Sequence, residues 1–151
     1  MVDWSEFRAG LAETRGYLLA HHEPDEWDRC HQPTVLGRRV RLCARCSGVY
    51  PGIAAGLLTY VLGPPALASF AVVATLPLPA LVDWTVTSFT SRRGYNVVRT
   101  ATGLLLGYSY GLGLGSVFGD LNPRVILVGI GYAVVAAALL YYHRTGRFDG
   151  Q

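Results

Sequence analysis

The sequence contains no lysine, and charged side chains of any kind are scarce. All 13 basic residues are arginine, and charged residues make up 15% of the 151, whereas soluble domains average about 25%. Charge is missing altogether from residues 47–61, 63–82, 101–119 and 125–142. Each window approaches the ~20 apolar residues that a helix needs to cross a bilayer. These absences favour a membrane protein over the alternative of a soluble protein with four buried helices.

Several functional signatures are also missing. The first 46 residues are polar, so the first apolar segment begins too far along the chain for a cleavable signal peptide. There is no phosphate-binding glycine loop, no Gly-x-Ser-x-Gly and no His-Glu-x-x-His. The arginines flank the apolar segments, so binding of nucleic acid is not expected. Whether the protein is an enzyme is therefore left open by its motifs.

The pattern predicts an all-α fold, a bundle of four transmembrane helices that crosses the lipid bilayer. We expect these helices at residues 47–63, 66–89, 98–118 and 124–143. They form a transmembrane domain over 47–143, between a cytoplasmic region at 1–46 and a cytoplasmic tail at 144–151. Within 1–46 we expect an N-terminal amphipathic helix followed by a short, irregular pre-membrane loop that contains the cysteines.

Arginine positions predict the orientation. Basic residues cluster before the first helix, between the second and third helices, and after the fourth: Arg29, Arg38, Arg39, Arg41 and Arg45; Arg92, Arg93 and Arg99; Arg144 and Arg147. Because arginine is enriched in cytoplasmic loops, we expect a multi-pass protein of the cell (plasma) membrane with both termini in the cytoplasm.

The amphipathic helix is predicted over residues 3–21. Trp4, Phe7, Leu11 and Leu18 form one apolar stripe along it. Such a helix lies on the membrane surface or caps the bundle, or it packs as a soluble helix on the cysteine loop.

Glycines recur every four residues in the first and third predicted spans. They are Gly48, Gly52 and Gly56 in the first, and Gly103, Gly107, Gly111, Gly115 and Gly119 in the third. Without Cβ atoms these ridges become grooves that let another helix approach closely. We favour pairing of the two spans within one chain, while a homo-oligomer through the same glycine ridges stays open.

The second predicted span carries Pro77 and Pro79 in its middle. Each proline removes a main-chain donor and kinks a helix, and the carbonyls that it frees need other partners within a membrane. The kink is either purely architectural or the opening of a cavity.

All three cysteines lie within 17 residues, in a Cys30-His31 dipeptide and a Cys43-Ala44-Arg45-Cys46 run. Cys-x-x-Cys is a common zinc knuckle, and a cytoplasmic location disfavours a structural disulfide. The predicted metal ligands are therefore Cys30, His31, Cys43 and Cys46, with zinc as the expected ion and iron as the alternative. Because adjacent Cys and His rarely bind one ion together, one of the pair is expected outside the ligand shell. His21 or His22 is then the substitute.

A second group of polar residues belongs to the same end of the bundle by topology. Asp83 lies near the cytoplasmic end of the second span, and Asn96 and Arg99 lie at the start of the third. An ionisable residue within a membrane span is a functional-site candidate, although an ion pair with Arg45 or Arg99 explains it equally well. Together Arg45, Asp83, Asn96 and Arg99 predict a polar pocket for a small ligand or a lipid head group.

These residues also carry a family resemblance. The stretches 30–33, 42–52, 79–83 and 96–103 resemble the signature blocks of domain-of-unknown-function family 2085, a group of small prokaryotic membrane proteins. The resemblance covers about residues 28–110. It implies a membrane protein and singles out the same Cys, His, Asp, Asn and Arg positions, but it implies no activity.

Three functions remain open on these grounds. The first is a membrane protein of unassigned activity with a zinc site at the cytoplasmic face and an adjacent polar pocket. The second is a membrane thiol–disulfide oxidoreductase that uses Cys43 and Cys46. The third is a small transporter or channel subunit, which the kinked span and Asp83 suggest.

Overall fold

The computed structural model describes residues 3–22 and 24–148, which are mostly helical. The α-helices are α1 (Trp4–Leu19), α2 (Ala44–Leu62), α3 (Phe70–Thr75), α4 (Leu78–Phe89), α5 (Asn96–Asp120) and α6 (Pro123–Phe148). Single 3₁₀ turns occupy Pro24–Arg29 and Pro65–Ala68. Helices thus occur at all four positions at which the sequence predicts membrane spans, and the second of these spans is divided into α3 and α4.

Two segments of the described chain are long and apolar enough to cross a membrane, Phe70–Phe89 and Pro123–Thr145. The sequence predicts four such spans. Helices α2 and α5 differ from these segments because recurrent glycines and hydroxyl-bearing residues make them less apolar. Only 6% of the most apolar part of Pro123–Thr145 is buried within the protein. Its side chains are therefore available to lipid.

The cysteine segment is more regular than the predicted loop. Its strands are β1 (Cys30–His31), β2 (Thr34–Val35), β3 (Arg38–Arg39) and β4 (Leu42–Cys43). They pair as β1 with β4 and β2 with β3, so that one antiparallel hairpin places Cys30 opposite Cys43. Leu36 and Gly37 form its turn with φ of 51° and 75°, the signs that a type I′ turn requires. A leucine in this left-handed conformation is unusual, which hid the turn from sequence analysis.

Helices α2 and α5 pack backbone to backbone along their glycines. A Cβ at Gly48 would lie 2.7 Å from the Leu104 nitrogen, and one at Gly52 would lie 2.8 Å from the Tyr108 nitrogen. A Cβ at Gly107 would likewise lie 2.9 Å from the Cα of Val49. Such distances exclude any side chain, so the small residues allow the two helices to pair within the chain.

The break between α3 and α4 occurs at Leu76 and Pro77. The hydroxyl of Ser109 on α5 donates a hydrogen bond of 2.7 Å to the carbonyl of Val73. The hydroxyl of Tyr132 on α6 donates one of 2.7 Å to the carbonyl of Ala74. Two carbonyls at the interruption therefore receive donors from neighbouring helices, as an apolar surrounding requires.

Helix α1 leaves the described residues of its apolar stripe exposed. On α1, the predicted stripe residues Trp4, Phe7 and Leu11 are exposed, while the side chain of Leu18 lies outside what the structure describes. Asp3 begins this helix, and its carboxylate accepts the Ser5 amide at 2.8 Å.

Candidate functional site

The hairpin and the start of α2 bring the three cysteines to one end of the bundle. Cys43 precedes the first residue of α2, and Cys46 follows within the first helical turn. All three are free thiols, with Cys30 and Cys43 buried and Cys46 half-buried. Since Cys30 and Cys43 are cross-strand partners, the hairpin register itself sets their proximity.

Two histidines from the segment before the hairpin join Cys43. The ligand atoms of His21, His22 and Cys43 all lie within 4.8 Å of one another, close enough to hold a metal ion. Nε2 of His22 is 3.3 Å from Sγ of Cys43, and Nδ1 of His21 is 4.0 Å from Sγ of Cys46. Two imidazole nitrogens and two sulfurs thus converge in a set that suits tetrahedral zinc chemistry.

Glu26 sets the orientation of His22. Its carboxylate lies 3.0 Å from Nδ1 of His22 and also accepts a hydrogen bond of 2.8 Å from Arg29. When Nδ1 carries the ring proton and donates it to that carboxylate, Nε2 keeps its lone pair and can bind a metal ion beside the Cys43 sulfur. A carboxylate behind an imidazole ligand is the usual second partner in protein metal sites.

Burial and hydrogen bonding shift these groups in different directions. Burial opposes the charged form of His22, but hydrogen bonds with Glu26 and Cys43 outweigh it and raise the pKa of His22. Burial likewise opposes ionisation of Cys43, yet hydrogen bonds from the Cys46 amide and from His22 lower the pKa of Cys43. Burial and then the charge on Cys43 raise the pKa of Cys46 to about 11. Cys43 is therefore the thiol best suited to act as a thiolate ligand.

His31 points away from this group. Its Nε2 lies 2.8 Å from the hydroxyl of Thr100, and that hydroxyl lies 2.8 Å from the carbonyl of Ala44 and 2.9 Å from that of Asn96. The single hydroxyl proton of Thr100 goes to a carbonyl, so Nε2 of His31 is the donor in their contact. In this arrangement His31 fastens the hairpin to α5 through the proton on Nε2.

Asp83 pairs with Arg45, the residue between the two cysteines of the Cys-x-x-Cys run. Nη2 of Arg45 donates to Oδ2 of Asp83, whose side chain is 8% exposed. The bond ties the first turn of α2 to α4. The sequence left Arg45 and Arg99 as alternative partners, and the geometry selects Arg45.

Asn96 and Arg99 hold the surrounding loops. The side-chain amide of Asn96 donates to the Asp28 carbonyl at 2.8 Å and approaches the Cys30 carbonyl at 3.4 Å. The buried guanidinium of Arg99 donates to Oδ1 of Asn96 at 3.0 Å and to the carbonyl of Arg93. The structure thus gathers all four predicted polar residues at the cysteine end, although it divides them into two separate bonded groups.

A polar pocket of about 480 Å³ opens beside Asp83, between the end of α4 and the start of α5. Its lining residues are Asp83, Val86, Thr87, Arg92, Arg93, Gly94, Tyr95 and Val98. Arg92 and Arg93 give it a positive rim. Sequence analysis named Asp83 as a pocket residue but not these two arginines, which it used only for orientation.

Two further residues of this site, Glu26 and Thr100, are not among the site residues predicted from the sequence. Glu26 follows His22 by four residues, a spacing at which a carboxylate reaches an imidazole, and this was an available signal. No signal in the sequence marks Thr100, because its role depends on the hairpin, and the sequence does not reveal where the hairpin packs.

A family model described as "Predicted membrane protein (DUF2085)" matches residues 29–112, which confirms the resemblance that the sequence motifs predict. No curated protein matches the chain, and no solved structure does.

Proposed function

Because the chain belongs to the DUF2085 family of predicted membrane proteins, we propose that it is a multi-pass protein of the plasma membrane with both termini in the cytoplasm. Phe70–Phe89 and Pro123–Thr145 supply two of its spans, and the paired helices α2 and α5 supply the other two. The arginines beside the helix ends at the cysteine face support this orientation.

At the cytoplasmic face, the proposed function of the Cys/His group is to bind a zinc ion that holds the pre-membrane hairpin against the bundle. The contact that carries this proposal is the chain Glu26–His22–Cys43, in which a carboxylate orients an imidazole towards a buried sulfur. Short hairpins cannot bury a core of their own, so a metal is a natural organiser.

The proposed ligand shell is His21, His22, Cys43 and Cys46. Their contacts favour it over the set predicted from sequence, in which Cys30 and His31 complete the shell. The ligand atoms of His21, His22 and Cys43 lie together and Cys46 lies beside His21, whereas Nε2 of His31 contacts Thr100 on α5. Cys30, opposite Cys43 in the hairpin, remains the candidate to replace the exposed His21. The two sets differ in what they predict for single histidine variants.

Beside the metal, the proposed role of the polar pocket is to receive an anionic head group or a small polar ligand. Arg92 and Arg93 line it, and the wall residue Asp83 is paired with Arg45. Because Arg45 lies between Cys43 and Cys46, this ion pair connects the metal site to the pocket.

Elemental analysis of the purified protein tests the metal proposal. We expect about one zinc per chain in the wild type and in His31→Ala, and none in His22→Ala or Cys43→Ser. The His22 and His31 variants form a matched pair, since each removes one imidazole at the cysteine end of the bundle. Loss of metal in His31→Ala with retention in His22→Ala would restore the ligand set predicted from sequence.

Iron in place of zinc would shift the proposal towards electron transfer. The metal proposal would be overturned if the wild type contained no metal and Cys43→Ser were as stable as the wild type.

A thiol–disulfide oxidoreductase is the second candidate. The opposite pKa shifts of Cys43 and Cys46 favour it, since such pairs combine one thiolate with one protonated thiol. Forming their disulfide releases two electrons and two protons, which a membrane quinone or a partner disulfide must accept. Thiol trapping in cells distinguishes the candidates, because a pair that is always reduced excludes this one.

A further inference from the structure

A second, larger cavity lies among α3, α4, α5 and α6. Its volume is about 860 Å³, at the upper end of the ~300–1,000 Å³ of ligand pockets, and its walls are almost entirely apolar. It begins beside Arg45 and Trp84 at the cysteine end of the bundle and reaches Phe118 and Ile126 at the other end. Neither the metal site nor the polar pocket uses this space.

The cavity is long enough to hold one chain of a lipid. Its α5 wall runs from Leu106 to Phe118 and its α6 wall from Val125 to Leu140, rises of ~18 Å and ~22 Å at 1.5 Å per residue, whereas one leaflet of hydrocarbon is ~15 Å deep. Its α6 wall belongs to the segment Pro123–Thr145, of whose most apolar part only 6% is buried within the protein. The cavity therefore runs parallel to the acyl chains of a surrounding bilayer and lies next to them.

The polar groups on its walls identify the end that meets a head group. Ser109 and Tyr132 line the cavity, but their hydroxyls already donate to the carbonyls of Val73 and Ala74. Among the residues that line the cavity, Arg45 is the charged one, and it lies at the cysteine end.

Charge complementarity selects the class of ligand. Asp83 neutralises Arg45 and also lines the polar pocket, so the ion pair forms the boundary between the two spaces. Beyond it, Arg92 and Arg93 offer positive charge to a phosphate. A neutral head group would leave both arginines without a partner.

We propose that the cavity holds one acyl chain of a membrane phospholipid. Its phosphate lies in the polar pocket beside Arg92 and Arg93. The inference rests on the proposed function for that pocket and names its ligand class, but it does not require the metal.

Native mass spectrometry of protein extracted from its own membranes in mild detergent tests the inference. The wild type is expected to retain a phospholipid. Ala136→Trp, which fills the cavity from α6, is expected to lose it, whereas Ala138→Trp, on a part of α6 that does not line the cavity, is expected to keep it. Ala133→Phe fills the same cavity from the previous turn of α6, and it is the alternative variant if Ala136→Trp does not fold.

The remaining outcomes separate this inference from the proposed function. Equal retention of phospholipid by both cavity-filling variants and the control would overturn the chain site, as would a wild type that carries an isoprenoid quinone or no lipid. Arg92→Gln/Arg93→Gln tests the head-group pocket alone. If that variant keeps its lipid while Ala136→Trp loses it, the chain site stands without the pocket. Cys43→Ser is expected to lose metal but keep the lipid.

Discussion

The hydroxyl of Ser109 donates to the carbonyl of Val73, the acceptor that Pro77 leaves without its main-chain donor. Pro77 follows Val73 by four residues, which is the spacing of a helical hydrogen bond, but proline has no N–H to give. A side chain on another helix therefore completes the hydrogen bonding of the broken span. This bond makes the kink a contact between helices as well as a local bend.

Ser109→Ala is expected to destabilise the protein by about 1–3 kcal/mol, because it leaves a buried carbonyl unsatisfied. Thermal unfolding in detergent measures the change. Ser69→Ala is the matched control, since that hydroxyl makes no capping hydrogen bond. In a Pro77→Ala background, which restores the main-chain donor, the cost of Ser109→Ala should shrink. An equal cost in both backgrounds would mean that the bond does not compensate for the proline.

Gly52→Ala is expected to weaken the pairing of α2 with α5, because its Cβ would lie 2.8 Å from the Tyr108 nitrogen. Overpacking of this kind costs about 1–3 kcal/mol. Gly129→Ala is the control, since nothing lies within 4 Å of a Cβ there. Alanine favours helix by about 1 kcal/mol over glycine, so the control should be neutral or stabilising. Similar melting temperatures for both variants would contradict the close approach.

Asp83→Asn is expected to destabilise the bundle by up to about 3 kcal/mol, since it leaves the Arg45 charge without a counterion; partial exposure of Arg45 limits the cost. Arg45→Gln/Asp83→Asn removes both charges and should be the more stable variant. Asp25→Asn, which removes an exposed carboxylate outside the helical bundle, provides the baseline. Additive losses in denaturation experiments would show that the pair is not coupled.

Glu26→Gln is expected to lower zinc affinity about 10- to 100-fold without abolishing binding, because it removes the charge that orients His22. Competition with a chelator measures the affinity. Asp25→Asn removes a neighbouring exposed carboxylate and should have no effect. A Glu26 variant with wild-type affinity would count against His22 as the ligand that Glu26 orients.

Asn96→Ala is expected to loosen the hairpin from α5, since its amide holds the Asp28 carbonyl at 2.8 Å. Hydrogen exchange should accelerate in residues 28–43 and stay unchanged where α2 meets α5. Asn122→Ala is the control, because that side chain accepts the Arg124 amide at the start of α6, at the opposite end of the bundle from the hairpin. Unaltered exchange across the hairpin would show that other contacts suffice to hold it.

Local patterns in the sequence predicted the helices well. Uncharged windows placed the third span at 98–118, close to Asn96–Asp120, and glycine spacing anticipated the pairing of α2 with α5. Prolines located the break between α3 and α4. These features depend on composition within one or two helical turns, which a sequence displays directly.

Contacts between distant segments were harder to predict. That Arg45 rather than Arg99 binds Asp83 depends on which face of α2 meets α4, and no pattern in either helix specifies it. The position of His31 depends on a hairpin whose turn contains a leucine with φ of 51°. Adjacent residues on a strand point to opposite sides, so the register that turns Cys30 towards Cys43 turns His31 towards Thr100.

The residues that anchor the cysteine hairpin are synthesised after the hairpin itself. Thr100 and Asn96 hold the hairpin, but both are synthesised well after the cysteines, and Thr100 is 54 residues beyond Cys46. At ~5–20 residues per second, a ribosome takes ~3–10 s to cover that distance. For those seconds the thiols of the nascent chain have no docking partner. Metal capture at this stage, before α5 enters the membrane, would shield them from oxidation.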